Sequence, residues 1–519
     1  MSARRSPWGG VLGQAGFALG RLAGKAREVL GQAADADRWL IGATRAAVEG
    51  AATRYALDPG AEWRPGEPLK LLFVGYSGTR NTGADVRVEE MIRQFRHLFG
   101  DRHLELSIVT QDPAKTRGYF KTARQVRLPD IFPRFLYDEV HAQHGVVACE
   151  GSMFKSKFAN ALSTLMAGAL GVAAAENKLA IGYGGEAGKM DPPLEALVRD
   201  TCRRSFIVAR NEASVGVLAR LGVRAEVGTD TAWTFEPAGD DVGKRILARH
   251  GWDGERPVLV ACPINPFWWP VTADVRRAVE QKALGLHAEA HYKSVYFHAA
   301  GKEVREKQAA YLDAYATALR KVARDRGAFV VLVGMEELDR RACEGLRERL
   351  GAETPVLVSD EHDMFELVSV LRQASALVSS RYHAIVTSMP AGVPSVGVTM
   401  DERIRNLMAD RGQPELALEV DDPALATKLP ELVGRAFDEG ERIRAGIAGS
   451  VARNLGAMGR MGQLVVEYVR ERHPEFPFRE ELGLAGNPWD HLPSLPRAVR
   501  ELLADADPSH GGARTLEAL

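Results

Sequence analysis

An arginine and a histidine lie two residues apart in the segment SSRYHAIVTS, residues 379–388, which directly follows a short apolar run, Ala376–Val378, typical of a buried strand. Arg381 and His383 are therefore predicted at the carboxyl end of a strand in a parallel sheet. Ligands of open α/β sheets bind at that edge, because loops and helix amino termini converge there. A fixed cation beside a titratable imidazole suits an anionic substrate that needs charge neutralisation and a proton. For His383 the alternative is a hydrogen-bonded core histidine.

A second candidate is the loop after the first predicted strand, which runs from Gly75 to Asp85. Glycines and an Asn-Thr-Gly triplet at a strand-to-helix junction expose backbone N–H groups, and the following helix adds positive potential, so the loop could hold an anion. The loop has neither the lysine of a Walker motif nor dinucleotide-binding spacing. A purely structural turn is the alternative. The candidate anion- or acceptor-binding residues here are Gly78, Arg80, Asn81, Thr82 and Gly83.

Polar residues or glycines also follow other predicted strands. They are Glu150, Gly185, Arg210 and Asp230. Glu150 is a candidate acid, base or hydroxyl-binding group, with a capped turn as the alternative. Because the carboxyl ends of parallel strands share one edge of a sheet, these positions predict a single cleft.

Short apolar runs alternate with amphipathic helical segments in two series, which is typical of parallel α/β sheets. The predicted fold class is α/β, with two Rossmann-like parallel-sheet domains facing a cleft. Their predicted bounds are residues 67–240 and 253–410. Residues 411–519 are expected to form helices and a loose tail.

Two further segments flank or interrupt these domains. Residues 1–66 are rich in Ala, Gly and Arg and predict a helical extension, with an amphipathic membrane-surface helix as the alternative. Residues 263–298 form a long insertion rich in aromatic side chains. This insertion has two interpretations: it stacks on a sugar or acts as a lid, or it is a local hydrophobic patch.

The amino-acid composition limits the partners and the compartment that we expect for this chain. The chain has 519 residues, with 67 lysines and arginines against 68 acidic residues, so no global field favours nucleic acid. The four cysteines are widely separated, which favours reduced thiols over disulfides or zinc. Charged residues break the amino-terminal apolar stretch, which argues against a signal peptide or membrane span. We expect a cytoplasmic protein, with peripheral association at the inner face of the membrane as the alternative.

Taken in order, these elements resemble the polysaccharide pyruvyl transferase family over about residues 69–410. The resemblance rests on the Asn-Thr-Gly loop, the Arg-x-x-x-Ser element at Arg210, the Arg381-x-His383 pair, Gly392-Val393-Pro394 and Asp401-x-Arg403. It implies a two-domain fold of the glycosyltransferase B type. It also implies transfer of the pyruvyl group of phosphoenolpyruvate to hydroxyls of a cell-surface polysaccharide or its precursor, forming a ketal.

The resemblance implies roles for the candidate residues. Phosphoenolpyruvate carries a carboxylate and a phosphate, and arginine forks bind both. Arg381 and Arg403 would clamp this donor, beside Asp401 and Ser380. His383 would be the general acid. The hydroxyl proton would pass to one of three carboxylates: Asp85, Glu150 or Asp230.

The expected partners are phosphoenolpyruvate and a glycan or lipid-linked saccharide acceptor, with no cofactor, no metal and no nucleic acid. The oligomeric state stays open. A nucleotide-sugar glycosyltransferase of the same fold is the first alternative, and Glu361 and Asp363 would be available to bind its ribose. The second alternative is a catalytically silent scaffold or regulatory homologue.

Overall fold

The structure is a computed structural model that describes residues 35–479, 482–483 and 485–506. The first part of the predicted amino-terminal extension, residues 1–34, lies outside the described residues. The rest forms helix α1 (Ala36–Tyr55), whose amino end is capped by the Asp35 side chain. No helix among the described residues is long and apolar enough to cross a bilayer.

Seven parallel strands form the sheet of the first domain, in the order β3-β2-β1-β4-β5-β6-β7. The strands are β1 (Leu69–Val74), β2 (Leu104–Thr110), β3 (Arg124–Arg127), β4 (Gly145–Ala148), β5 (Leu179–Gly185), β6 (Phe206–Ala209) and β7 (Ala225–Val227). The helices are α2 (Thr82–Phe99), α3 (Pro133–His141), α4 (Asn160–Ala175), α5 (Pro192–Thr201) and α6 (Glu212–Arg220). The central strands are buried on both faces, which explains their continuous apolar runs. Strand β3 escaped sequence prediction because it is a polar edge strand.

Six parallel strands form the sheet of the second domain, in the order β13-β12-β8-β14-β15-β16. The strands are β8 (Val258–Cys262), β12 (Phe329–Gly334), β13 (Val356–Val358), β14 (Ala376–Ser379), β15 (Ser395–Thr399) and β16 (Ala417–Glu419). The helices that precede or accompany this sheet are α7 (Asp240–Arg249), α9 (Lys302–Arg326), α10 (Arg340–Leu350), α11 (Met364–Leu371), α12 (Tyr382–Ser388), α13 (Glu402–Asp410) and α14 (Leu425–Asp438).

The aromatic insertion folds as a small unit between β8 and α9. It contains β9 (Thr272–Ala273), α8 (Val275–Leu284), β10 (His291–Lys293) and β11 (Tyr296–Phe297), with the three strands in the antiparallel order β10-β11-β9. It packs on the first domain, where the Ala161 N–H donates to the Tyr296 hydroxyl at 3.1 Å. The insertion therefore links the second domain back to the first.

A long helix, α15 (Gly440–Arg472), connects both domains. Near its start, Arg444 Nη1 donates to the Ala391 carbonyl of the second domain at 3.0 Å. Near its end, the Tyr468 ring stacks on Phe206 of the first domain with centroids 4.8 Å apart. The last described helix is α16 (Arg497–Ala506).

The segment after Pro474 differs from the loose packing expected from its sequence. Phe476 and Phe478 contact the Phe99 ring of α2, with centroids 5.5 Å and 5.4 Å away. Two aromatic side chains bury enough apolar surface to hold a segment that has little regular structure. Phe476 and Phe478 are therefore part of the first domain's packing.

The two parallel sheets confirm the predicted fold class, two Rossmann-like α/β domains facing a cleft. Their carboxyl edges meet directly: the Thr82 N–H at the start of α2 donates to the Met335 carbonyl beyond β12 at 2.8 Å. Lys155 of the first domain also lies 3.0 Å from Glu402 of the second. The strand ends of both domains therefore border one space.

The contact between α15 and the tail gives a matched pair of glycine substitutions. A Cβ at Gly459 would lie 2.1 Å from the Pro488 carbonyl oxygen, whereas a Cβ at Gly456 would meet nothing within 4 Å. Gly459→Ala should lower the free energy of unfolding by roughly 1–3 kcal/mol through overpacking. Gly456→Ala should raise it by up to about 1 kcal/mol, because alanine is the better helix former. Urea denaturation measures both, and equal effects would contradict this packing.

Candidate active site

The carboxyl edges of the two sheets enclose a cavity of about 80 Å³, here called the interdomain cavity. The first domain contributes Asn81, Gly83, Ala84 and Glu150 to its wall. The second contributes Ile264, Met335, Ser380, Arg381, Tyr382, His383, Met400 and Arg403. The structure thus brings together seven of the residues singled out in the sequence.

The start of α2 forms one wall of this cavity. The Asn81 side chain caps the helix by accepting from the Ala84 N–H at 3.1 Å, and its amide donates to Glu336 Oε2 of the second domain at 3.0 Å. A Cβ at Gly83 would lie 2.3 Å from His383 Nδ1. Only glycine allows the imidazole to approach the helix this closely.

Asp230 lies fully buried where the two domains meet. Its Oδ2 is 3.0 Å from Arg87 Nε, accepts from Arg210 Nη1 at 2.8 Å, and is 3.3 Å from His383 Nε2. Burial opposes ionisation of this carboxyl, but Arg87, His383 and Arg210 together hold its pKa well below the ordinary value. Asp230 is therefore a carboxylate that can only accept hydrogen bonds.

The Asp230 carboxylate fixes the tautomer of His383. Burial lowers the pKa of His383, and Asp230 acts in the opposite direction without reversing the shift. In the neutral imidazole Nε2 must carry the proton, because its partner is an acceptor. Nδ1, the atom beside Gly83, is then an unprotonated base. This arrangement favours proton acceptance by His383.

Two candidate carboxyls carry oxygens without a hydrogen-bond partner. Burial raises the pKa of Glu150, against the opposing effect of Arg87, and its Oε2 is buried and unpartnered. Burial also raises the pKa of Asp85 well above its ordinary value, against the opposing effect of Arg80, and both its oxygens are unpartnered. Glu150 lines the interdomain cavity, whereas Asp85 does not.

The predicted clamp arginines are paired with acids. Arg381 donates to Asp339 through Nε at 2.8 Å and to Glu336 through Nη2 at 2.9 Å. Arg403 forks onto Asp401, with Nε–Oδ1 and Nη2–Oδ2 distances of 3.0 Å and 2.7 Å. The Nη1 group of each arginine takes no part in these bonds, so each fork keeps N–H donors for a ligand.

The remaining predicted residues lie around this centre. The Arg80 side chain lies against Tyr119, and its Nη1 donates to the Tyr119 hydroxyl at 2.6 Å. Ser380 Oγ lies 2.8 Å and 2.9 Å from the hydroxyls of Tyr311 and Tyr315. A Cβ at Gly185 would lie 2.7 Å from the Glu150 carbonyl oxygen, so this glycine allows the Glu150 backbone to pack against it.

Several residues that shape the site were missed from the sequence. They are Arg87, Lys155, Glu186, Glu336 and Asp339. Glu336 and Asp339 follow a strand end, the same signal that drew attention to Glu150. Arg87 gave no such signal, because a charged residue in an amphipathic helix is expected to face solvent.

A larger neighbouring pocket of about 490 Å³, here called the aromatic pocket, lies between the insertion and both domains. Its wall includes Gly78, Gln111, Trp268, Tyr292 and His298. His298 stacks on Trp268 at 4.5 Å, is 3% exposed, and has no hydrogen-bond partner at either ring nitrogen. Burial lowers the pKa of His298 to about 4.

The family comparison covers the part of the chain that carries Arg210, Asp230 and His383. Residues 178–402 match the polysaccharide pyruvyl transferase family. The match confirms the family resemblance and the enzyme class predicted from the sequence, a transferase. It supports polysaccharide modification as the general activity.

No curated protein sequence matches the chain. Among solved structures, the Anabaena protein HepE in complex with UDP-glucose is 12% identical, with a TM-score of 0.49, and the alignment covers 78% of this chain and 100% of HepE. UDP-GlcNAc 2-epimerase from Neisseria meningitidis bound to UDP-GlcNAc is 10% identical, with a TM-score of 0.48 and coverages of 78% and 100%. These similarities carry no information on what this chain binds.

The buried position of Asp230 generates a stability prediction. Asp230→Asn keeps the shape of the side chain but leaves Arg87 and Arg210 without their shared charge, so the free energy of unfolding should fall by about 3–5 kcal/mol. Asp241→Asn, at a 68% exposed side chain, is the control and should change it by less than about 0.5 kcal/mol. Denaturant titration measures both. A neutral effect at Asp230 would show that its ion pairs do not hold the domains together.

Proposed function

We propose that the protein transfers the pyruvyl group of phosphoenolpyruvate to hydroxyls of a polysaccharide or its precursor and closes a ketal. The proposal rests on the residues that line the interdomain cavity. Two arginines with spare N–H donors, an imidazole and a carboxyl whose pKa is raised line this one small volume. Phosphoenolpyruvate offers a carboxylate and a phosphate to such donors.

The size of the cavity favours this donor over a nucleotide sugar. Its volume is about 80 Å³, whereas pockets for larger organic ligands span about 300–1,000 Å³. The acids considered for ribose binding are also engaged. Glu361 pairs with Arg340 at 2.9 Å, and the Asp363 side chain caps α11 by accepting from the Glu366 N–H at 2.9 Å.

The chemistry needs one proton donor and one proton acceptor. A proton added to the methylene carbon of phosphoenolpyruvate leaves an oxocarbenium-like centre at the neighbouring carbon. A saccharide hydroxyl attacks that carbon and loses its proton. The bond to the phosphate oxygen then breaks, inorganic phosphate leaves with the electron pair, and a second hydroxyl closes the ketal. Of the two hydroxyl protons, one replaces the proton spent on the methylene carbon and one leaves with phosphate.

The environments of Glu150 and His383 support a division of these roles. A carboxyl with a raised pKa remains protonated at higher pH and can donate to carbon. An imidazole with a lowered pKa, oriented by Asp230, can accept the hydroxyl proton at Nδ1. We therefore assign Glu150 as the acid and His383 as the base. This reverses the role that sequence reasoning gave to His383.

The aromatic pocket is the proposed place for the acceptor saccharide. Trp268, Tyr292 and His298 line this pocket, and aromatic and polar side chains together suit a sugar. Glu336 lines this pocket and also pairs with Arg381 of the interdomain cavity. An acceptor hydroxyl near Glu336 would therefore lie next to the donor site.

The deciding experiment measures release of inorganic phosphate from phosphoenolpyruvate with saccharide acceptors. Release should require both substrates, and the acceptor should gain the mass of pyruvate minus water. Transfer from a nucleotide sugar in place of phosphoenolpyruvate would overturn the proposal.

The protonation states required of His383 and Glu150 predict that kcat/KM falls at both low and high pH. The His383 base must be neutral, so activity should fall as the pH drops below its lowered pKa. The Glu150 acid must be protonated, so activity should fall as the pH rises above its raised pKa. His383→Gln should lower kcat by about 10²-fold to 10⁴-fold and remove the low-pH limb, and Glu150→Gln should remove the high-pH limb. If His383→Gln instead removed the high-pH limb and Glu150→Gln removed the low-pH limb, His383 would be the general acid and Glu150 the base.

Arg403 and Arg405 offer a matched test of donor binding. Arg403 lines the interdomain cavity, whereas Arg405 is 54% exposed and pairs with Glu419. Arg403→Lys should raise the KM for phosphoenolpyruvate by at least about 10-fold, because an ammonium cannot reproduce the planar fork. Arg405→Lys should leave KM unchanged. The assignment of Arg403 to the donor fails if the two variants have the same KM.

A further inference from the structure

A short segment of the first domain contacts the second domain beside the interdomain cavity. It comprises residues 155–159, between β4 and α4, and is here called the bridging segment. Lys155 Nζ lies 3.0 Å from Glu402 Oε1, and Lys157 Nζ lies 3.6 Å from Asp401 Oδ2. Both acids belong to the start of α13, so the bridging segment holds this helix start from the opposite domain.

Phe158 of the bridging segment lies against Arg403. The Arg403 Cζ atom is 5.2 Å from the centroid of the Phe158 ring, a distance at which a guanidinium is attracted to the ring face. Asp401 binds the edge of the same guanidinium. Arg403 lines the interdomain cavity, whereas Phe158 does not. Phe158 can therefore act on a ligand of this cavity only through Arg403.

The position of Phe158 is itself constrained. The next residue, Ala159, is buried and has a φ of 92°, in a region that residues with a Cβ atom rarely adopt. Such a conformation persists only where the surrounding contacts hold it, and it is typical of functional sites. The insertion provides two of these contacts. The Val271 N–H donates to the Lys157 carbonyl at 3.4 Å, and the Trp269 ring meets Phe158 edge to face with centroids 5.0 Å apart.

We propose that Phe158 is a positioning residue for Arg403, and that the affinity for an anionic donor therefore depends on contact between the two domains. The inference rests on the proposed function only for the identity of this donor as phosphoenolpyruvate. The Asp401 carboxylate fixes one edge of the guanidinium, and the ring of Phe158 fixes its plane. The free Nη1 group then has one orientation before the donor arrives, which lowers the entropic cost of binding.

Steady-state kinetics of the full chain, with phosphoenolpyruvate as the varied substrate, test this role. Phe158→Leu removes the ring but keeps an apolar side chain, so KM should rise about 3-fold to 30-fold while kcat stays within about 2-fold. Phe158→Tyr keeps the ring face and should retain the KM of the unaltered protein. The matched control is Phe478→Leu, because Phe478 is also half-buried and its ring centroid lies 5.3 Å from Arg470 Cζ, outside the cavity lining. This control should leave KM unchanged.

Hydrogen exchange in the absence of substrate gives a second readout. The Arg403 N–H donates to Asp401 Oδ1 at 3.1 Å, so amides at the start of α13 report whether this helix start is held. Phe158→Leu should accelerate exchange in a peptide of residues 400–410 by at least about 3-fold, and Phe478→Leu should not change it. Because this measurement uses no phosphoenolpyruvate, it remains informative if pyruvyl transfer fails.

Four outcomes would overturn the inference. An unchanged KM in Phe158→Leu would show that the ring does not support donor binding. A fall in kcat at constant KM would place its effect in the chemical steps. A raised KM in Phe158→Tyr would show that the ring face is not what Arg403 requires. Unchanged exchange in residues 400–410 of Phe158→Leu would show that the ring does not hold the start of α13. If the unaltered protein releases no phosphate from phosphoenolpyruvate, the proposed function fails, and exchange alone decides whether Phe158 positions Arg403.

Discussion

The shared carboxylate of Asp230 is the interaction on which the rest of the site depends. It lies fully buried against Arg87 and Arg210 of the first domain and His383 of the second. A carboxylate without partners at this depth would be protonated or unstable. With these partners it joins the two domains and orients the imidazole. The interdomain cavity beside it is lined by residues of both domains, including Glu150 and His383.

Charge around the interdomain cavity is closely balanced. Arg381 is paired with two acids and Arg403 with one, while Arg210 is shared between Glu186 and Asp230. Under the proposed function, an anionic donor would therefore meet directed N–H groups on arginines whose charge is already compensated. Binding at such a site depends on the geometry of the donor groups more than on a positive field. The balance at the site agrees with a chain whose formal net charge is −1.

Much of the fold could be predicted from the sequence because buried parallel strands leave continuous apolar runs. Strands β3 and β16 could not, since both are short edge strands with polar or half-exposed residues. Polar residues at strand ends identified Glu150, Asp230 and His383, because parallel strands place their carboxyl ends together. The protonation states of these three residues could not be predicted from the sequence. The pKa of His383 depends on its burial and on Asp230, 153 positions earlier in the chain, and such a contact leaves no local pattern.

The helix α15 constrains how this enzyme can open. Its 33 residues form a rod of about 50 Å, with Arg444 held by the second domain and Tyr468 stacked on the first. A rod anchored at both ends prevents the domains from sliding apart along its axis, but it permits rotation about that axis. Gly83 belongs to the first domain and His383 to the second, so any such rotation would change the distance between them. The position of the imidazole beside α2 therefore depends on the relative orientation of the two domains.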